Sequence, residues 1–349
     1  MTQANETAEL LSMVESSATL FLDDACSRAP GTNTFAELWR EIVEMGLPLV
    51  ALPEDRGGSG LGAAGFTCVA RQFGRALVAQ PYIACGVAPV AAIAALPDGA
   101  FSDAALALVA DGTFRLAFGA KQSQAPLLAG GRLSGQWKLI AHPATHLMVA
   151  AGDALCLVAL DGAGIIIEPH KALDGGEIAT VSLTEAVPLQ VEQGPAAARA
   201  GAVALAASRL AHAALLGGLA ESAFRQTQDY IKTRAQFGQT IASFQSIQHR
   251  SVDQFIANSL TEASVEAAAT AFDADPAAPA TAALIAAALA RASTGAAHVA
   301  RESVQMHGAI GFTAEADVGR YVRALTGLAN FHGTARDNRR QFAQFEDAA

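Results

Sequence analysis

The residues of this 349-residue chain best suited to chemistry lie at positions 230–250. Lys232 and Arg234 close a long apolar-periodic segment, Gly238 interrupts the backbone, and a second helix is predicted to begin near Ser243. A guanidinium beside a glycine turn can hold a pyrophosphate, because its planar fork donates several charge-assisted hydrogen bonds. The alternative is a surface arginine that closes a helix and complements its dipole.

Three stretches match known signatures in order and spacing. Residues 234–245 contain R-x-x-F-G-x-x-I-x-x-F-Q, residues 305–312 read Q-M-H-G-A-I-G-F, and residues 46–62 read G-L-P-L-V-A-L-P-E-D-R-G-G-S-G-L-G. Together they resemble the acyl-CoA dehydrogenase family, with Ala309 replacing one glycine of the second signature. The resemblance spans nearly the whole chain, so it implies the family's fold throughout.

The sequence pattern and the resemblance predict the same three domains. Residues 1–113 are helical in pattern, residues 114–193 hold short strands separated by Gly, Pro and Asp, and residues 194–349 return to long helices. The predicted fold class is α+β and acyl-CoA dehydrogenase-like. It comprises an N-terminal helical domain, a shortened middle antiparallel β domain and a C-terminal four-helix bundle.

Individual elements can be placed within these domains. In the middle domain we predict strands at 132–140, 147–151, 155–160 and 164–168, forming an antiparallel meander or small barrel. Asp161 and Gly162 read as the turn of a hairpin. In the last domain we predict helices at 196–232, 243–272, 279–305, about 315–328 and about 334–345.

Composition excludes several classes of protein. A formal net charge of −10 with no basic tract argues against a nucleic-acid binder, which needs a positive face. The four cysteines are scattered without C-x-x-C pairs, and the histidines are not clustered, so the sequence predicts neither disulfides nor a metal site.

The sequence also favours a cytoplasmic protein without a membrane span. Its first residues lack the basic and apolar regions of a signal peptide. The longest uncharged stretch, about residues 76–97, contains three prolines and makes a poor membrane helix.

The resemblance implies FAD as the cofactor and an acyl-CoA thioester as the substrate. In this family the substrate loses its α-proton to a base and its β-hydrogen as hydride to the flavin. Five residues match positions at which one subunit reaches the FAD of its neighbour: Arg234, Phe237, Gln245, Gln305 and Gly308. Thr334 matches a further position near the cofactor.

Three of these positions have simpler explanations that stay open. Phe237 could be a core side chain, Gln305 could cap a helix end, and Thr334 could be a helix N-cap after Gly333.

The family's catalytic base has no acidic counterpart here. Most members carry a glutamate in a Y-E-G-T segment, and this chain has His332 in that slot. A minority carry the base on the long helix, where Ser208 and Arg209 stand instead. We therefore assign no catalytic residue, with two alternatives for His332: a substitute base, or a slot that drifted after catalysis was lost.

The family's flavin-ring motifs are also altered. The T-E-P-x-x-G-S-D loop corresponds to residues 116–123, which read L-A-F-G-A-K-Q-S. The W-I-[TS]-N strand corresponds to residues 138–143, with Leu139 at the tryptophan and Ala141 at the hydroxyl.

The residues that match the family and those that do not suggest an interpretation. Residues that reach a neighbour's FAD are present, whereas those that hold a subunit's own flavin and base are absent. The pattern resembles the base-lacking subunit of heterotetrameric acyl-CoA dehydrogenases of steroid degradation. It implies a homologous partner with the catalytic glutamate and an electron-acceptor flavoprotein. An active homo-oligomer that uses His332 and a non-catalytic scaffold remain alternatives.

The sequence constrains the identity of the substrate less than that of the cofactor. By resemblance Arg209 contacts the CoA portion of the substrate, although an ion pair with Glu221 is equally open. An Ala- and Gly-rich helix over 194–220 leaves room for a sterol or bile-acid thioester, but it could equally serve close helix packing.

Overall fold

Helices occupy both ends of the protein and strands its middle. The computed structural model describes residues 3–27, 35–78, 81–173, 175–313 and 315–346. The α-helices are α1 (Gln3–Ser27), α2 (Phe35–Glu44), α3 (Gly62–Ala76), α4 (Ala88–Ala95), α5 (Ala100–Ala110), α6 (Pro195–Thr233), α7 (Gln245–Ala274), α8 (Pro279–His307), α9 (Val318–Leu328) and α10 (Ala335–Glu346). Shorter 3-10 turns include Ile241–Ser243 and Gly308–Phe312, and a π-helical turn covers Tyr82–Val87.

The strands form two four-stranded sheets and a small hairpin. They are β1 (Leu116–Phe118), β2 (Gln122–Ala129), β3 (Arg132–Ala141), β4 (His146–Ala151), β5 (Ala154–Ala159), β6 (Ile165–Lys171), β7 (Glu177–Ala186), β8 (Gln190–Gln193), β9 (Ala235–Gln236) and β10 (Gln239–Thr240). One sheet has the order β1-β4-β5-β8 and the other β2-β3-β7-β6, while β9 pairs with β10. Strand β1 runs parallel to β4, and the other described pairs are antiparallel.

The chain divides into two compact units. The first comprises Met1–Val69, Gln80–Ala172 and Gly176–Ala211. Its core joins α4, α5, β1, β4, β5 and the start of α6 through buried side chains such as Ile93, Phe101, Leu116, Met148 and Leu157. Small residues on α6 allow this close packing, because a Cβ on Gly201 would lie 3.2 Å from that of Ala150.

The second unit comprises Ala70–Ala79, Leu173–Gly175 and His212–Ala349. Within it α8 is central and packs against α7, α9 and α10. The end of α3 crosses α6 with the two backbones in contact. A Cβ on Gly218 would lie 2.0 Å from the Arg71 carbonyl oxygen, and a Cβ on Gly74 would lie 2.2 Å from that of Leu215. Only glycine allows so close a crossing.

The predicted order of helices, sheet and helices is confirmed, but two predictions about pairing are wrong. The connection at Asp161 and Gly162 is not a hairpin, because β5 and β6 belong to different sheets. The strands also form two sheets rather than a single meander or barrel. The division into three domains stays a prediction.

The boundaries of the first helix pair in the C-terminal region also differ slightly. Helix α7 begins at Gln245 rather than near Ser243, because residues 241–243 form a 3-10 turn after the β9–β10 hairpin. That hairpin stands where the sequence indicated only a break at Gly238.

Two helices are long and apolar enough to cross a membrane by composition alone. They are α6 and Pro279–Gly311, which contains α8. However, 67% and 61% of their most apolar windows are buried within the protein. Core helices of soluble proteins have the same composition, so this feature is weak support for a membrane span.

Candidate cofactor and substrate site

The hairpin after α6 presents an aromatic ring to solvent. Phe237 and Gly238 form its two-residue turn, with φ of 56° and 82° as a type I′ turn requires. A phenylalanine in the left-handed region is strained, and such strain concentrates at functional sites. The Phe237 side chain is 93% exposed, so the core-packing alternative is wrong. Its exposure and strain together indicate a surface that contacts another molecule.

Arg234 stands at the base of this hairpin with an exposed guanidinium. Its N–H donates to the Tyr230 carbonyl (2.9 Å), and its own carbonyl accepts from the Ile241 N–H (2.9 Å). These bonds fix the backbone at the end of α6. No carboxylate among the described residues pairs with the Arg234 side chain. The cation is therefore available for an anionic ligand such as a pyrophosphate.

Gln305 and Gly308 lie at the other exposed segment, the end of α8. Gly308 has φ 66° and ψ −142°, a conformation restricted to glycine, and its N–H donates to the Val304 carbonyl. Apart from the adjacent backbone, no heavy atom of the residues that the structure describes lies within 4 Å of the position that a Cβ on Gly308 would take. The open backbone fits close approach by a phosphate group. Gln305 is exposed beside it, as is Gln245 at the start of α7.

Thr334 serves as a helix N-cap, the simpler of its two predicted roles. Its hydroxyl and N–H both donate to the Asp337 carboxylate (2.6 and 3.0 Å), and the Asp337 N–H donates back to the hydroxyl (3.2 Å). These bonds hold the pKa of the Asp337 carboxyl below its usual value. The reciprocal pattern is a capping box for α10. A cofactor contact by Thr334 stays a prediction.

A histidine that the sequence reasoning missed lies beside His332. The imidazole of His212 is buried, stacks on Phe331 and meets the His332 ring edge to face, with centroids 5.2 Å apart. His212 Nε2 lies 2.8 Å from the Leu328 carbonyl oxygen, which only accepts, so Nε2 carries the proton. One sequence signal was available: His212 follows Ser208 by four residues on one helix face.

The second predicted base position, Ser208, lies in an apolar environment. Ser208 is buried on α6, and the neighbouring Arg209 is half-buried, which lowers the pKa of its guanidinium. The Arg209–Glu221 ion pair does not form. The two residues are twelve positions apart on one helix, about 18 Å by its rise. The Glu221 carboxylate instead pairs with Arg71 (2.9 Å) and Arg75 (3.6 Å).

The β region does not offer the polar groups that hold a flavin ring. Residues 116–118 form β1 with all three side chains buried, and the Ser123 hydroxyl donates to Gln136 (2.7 Å). Leu139 sits at a register shift of β3 with φ 59°, so the strained bulge is present without the aromatic ring. Ala141 provides no hydroxyl. These residues do not fit the ring of a flavin.

The aromatic side chain of β3, Trp137, does not occupy the position of the family's tryptophan. Trp137 is fully buried, with its ring against Gly119 at one end and Gly135 at the other, where added Cβ atoms would lie 2.8 Å away. Its position indicates a core side chain of the middle region rather than a ligand contact.

Comparisons with known proteins find similarity in both sequence and fold. Residues 198–345 match the model "Acyl-CoA dehydrogenase, C-terminal domain". The chain is 29% identical over 303 residues to acyl-CoA dehydrogenase IpdE2 of Mycobacterium tuberculosis, covering 86% of this chain and 83% of the relative. Its structure is similar to the Tcur3481–Tcur3483 steroid ACAD, in a variant form, with TM-score 0.86, 26% identity, and 98% of this chain and 99% of that chain covered.

A second solved structure is the ChsE4–ChsE5 complex from Mycobacterium tuberculosis. It matches with TM-score 0.86 and 23% identity over 100% of this chain and 98% of that chain. Motif order, fold and sequence similarity therefore converge: the chain has the acyl-CoA dehydrogenase fold, and its residues 198–345 match that family's C-terminal domain.

Proposed function

We propose that this chain is the base-lacking subunit of a heteromeric, FAD-dependent acyl-CoA dehydrogenase. Its exposed residues complete the FAD site of a homologous partner that carries the catalytic glutamate. The observation that carries this proposal is the strained, 93% exposed Phe237 at the hairpin tip beside the exposed guanidinium of Arg234, which pairs with no carboxylate of the described residues. An exposed ring in a strained turn is costly for a protein that works alone.

FAD is the cofactor of this family, and it supplies the hydride acceptor in desaturation of an acyl-CoA thioester. This chain's own residues bind and orient. Arg234 would neutralise the pyrophosphate, Gly308 would let it approach the backbone, and Phe237 would form an apolar wall. The amides of Gln245 and Gln305 would add hydrogen bonds.

The chain's own β region supports the other half of the proposal. Leu139 and Ala141 of β3 stand at the ring-contact positions, and Ser208 on α6 and His332 after α9 stand at the base positions. At these positions the chain provides neither a ring site nor a carboxylate. Loss of a positioned base costs about 10²–10⁴-fold in rate, so a partner must provide that function for efficient turnover.

A row of exposed apolar side chains on α7 also favours a partner. Val252, Phe255, Ile256 and Leu260 recur at helical spacing and are between 42% and 60% exposed. They lie on α7, the helix that begins after the hairpin, and the Phe237 and Phe244 rings are in edge contact (6.2 Å). The proposed partner would cover this row as well as the hairpin.

A second candidate is an active homo-oligomer in which His332 is the base. It is favoured by the edge contact between His332 and His212, whose proton position is fixed by the Leu328 carbonyl. An imidazole held among aromatic rings can accept a proton.

The substrate class rests on the relatives. One similar structure is called a steroid ACAD, and the proposal assigns this chain a sterol or bile-acid side-chain thioester. Arg209 would contact the CoA portion, and an electron-acceptor flavoprotein would reoxidise the cofactor.

Co-expression tests the proposal. The chain is purified alone and together with a glutamate-bearing homologous subunit, and absorbance is recorded at flavin wavelengths. We expect a colourless chain alone and a yellow complex. Yellow protein with thioester turnover from the chain alone would support the His332 candidate, and no colour in either sample would support a scaffold.

Substitution sharpens this experiment. Arg234→Ala should strip flavin from the complex, whereas Arg225→Ala, at an exposed arginine within α6, should not. Retention of flavin by the Arg234→Ala complex would contradict the assigned pyrophosphate contact.

A further inference from the structure

We propose that Tyr230 is a positioning residue that holds the two FAD-contacting segments of this chain in register. One segment is the Arg234 hairpin, and the other is the α8 end with Gln305 and Gly308. This inference rests on the proposed function. It concerns a residue that contacts neither the cofactor nor the substrate.

Tyr230 binds each segment through a different group. Its backbone carbonyl accepts the Arg234 N–H at 2.9 Å. Its ring stacks on His307 with centroids 4.4 Å apart and planes at 18°. Its hydroxyl donates to the His307 carbonyl oxygen at 3.3 Å, across 77 positions of sequence. Tyr230 therefore links the end of α6 to the end of α8, through its backbone carbonyl on the hairpin side and its side chain on the α8 side.

His307 continues this link into the glycine segment. Its Nδ1 donates to the Ser303 carbonyl (2.8 Å), which fixes both the ring and the position of its proton. The next residue, Gly308, turns the chain away from α8 after donating its N–H to Val304. The ring of His307 is thus fixed on one face by Tyr230 and at one edge by the helix.

The exposure of Tyr230 favours positioning over core packing. Tyr230 is half-buried, whereas the core side chains of α6 are fully buried. A hydroxyl at such a site can bond water equally well in the unfolded chain, so its bond adds little stability. It does restrict the direction in which the Gly308 backbone and the hairpin face a ligand.

The test compares Tyr230→Leu, Tyr230→Phe and His307→Leu in the two-subunit complex. FAD dissociation constants are measured after reconstitution of the apo complex. Tyr230→Leu should weaken FAD binding about tenfold, and Tyr230→Phe, which keeps the stacked ring, should recover most of that loss. The double variant Tyr230→Leu with His307→Leu should lose no more FAD affinity than either single variant, because both substitutions break the same link. Thr233→Ala, in the same helical turn, is the matched control.

Hydrogen exchange of the chain alone separates this inference from the proposed function. Tyr230→Leu should speed amide exchange about fivefold or more in both 234–241 and 305–313, with little change elsewhere. Faster exchange in only one segment, or unchanged FAD affinity, would overturn the positioning role. The positioning role would also be overturned if the loss of FAD affinity in the double variant equalled the product of the two single losses. Failure of the proposed function would show separately, as flavin retained by the Arg234→Ala complex.

Discussion

The His332 imidazole lies edge to face against that of His212, with ring centroids 5.2 Å apart. The family's glutamate slot is therefore occupied by one of two packed imidazoles. In a base-lacking subunit this pair has a structural role. In a self-sufficient enzyme it would move a proton.

Replacement of His332 distinguishes these roles. We expect His332→Gln to change the kcat of the two-subunit complex by less than about threefold, because the partner's glutamate takes the proton. A loss of about 100-fold or more would contradict the base-lacking assignment. Steady-state kinetics of the complex make the measurement, with His249→Gln on the exposed part of α7 as control.

Phe237 should lower the stability of the hairpin turn while it provides a ligand contact. Phe237→Asn places a residue that tolerates positive φ before Gly238, which is the preferred composition of a type I′ turn. We expect the free energy of unfolding of the isolated chain to rise by about 0.5–1 kcal/mol as strain is relieved.

The same variant should bind flavin more weakly in the complex, because the apolar wall is lost. Thermal unfolding and flavin absorbance measure the two effects. A destabilised chain, or a complex that keeps its full flavin content, would contradict the assignment of Phe237 as a strained ligand contact.

The crossing of α3 and α6 should tolerate no side chain. Gly218→Ala would place a methyl group 2.0 Å from the Arg71 carbonyl oxygen, so the helices must separate. We expect a loss of about 1–3 kcal/mol in the free energy of unfolding.

Gly217, the residue next to Gly218, provides the control. A Cβ on Gly217 would meet only the Thr261 methyl group, at 3.5 Å. Gly217→Ala should therefore be neutral or stabilising, because alanine favours the helix. Chemical denaturation of both variants makes the comparison, and equal effects would refute the close crossing.

Burial lowers the pKa of His307 below its ordinary value of 6.5. Between 6.5 and the lowered folded-state pKa, the unfolded chain binds more protons than the folded chain. The free energy of unfolding should therefore fall as the pH drops from 6.5 through that window.

His307→Gln should flatten this pH dependence. Denaturation of both proteins from pH 7 to pH 5 tests the expectation, with His249→Gln as control. An unchanged slope in the His307 variant would show that another group, such as the half-buried His146 with its own lowered pKa, is responsible.

Local patterns predicted the elements more reliably than their partners. Helices α6 and α8 begin within one residue of their predicted starts, because apolar periodicity and proline mark them locally. The turn at Asp161 and Gly162 looked like a hairpin because turn residues carry no information on which sheet each flanking strand will join. That choice depends on contacts distant in sequence.

The candidate site shows the same limit. Arg234 and Gly308 could be predicted as site residues because their motifs are contiguous in sequence. His212 was missed because a single histidine on an apolar helix resembles any core residue. The link from Tyr230 to His307 needs the fold, since 77 positions separate the two residues.

The bare phenyl ring of Phe237 has a consequence for how the protein is made. If the proposed partner subunit covers this ring, a copy made without that partner keeps it in contact with water, so the isolated chain should self-associate as its concentration rises. On the proposed function, a cell would need to produce both polypeptides in matched amounts.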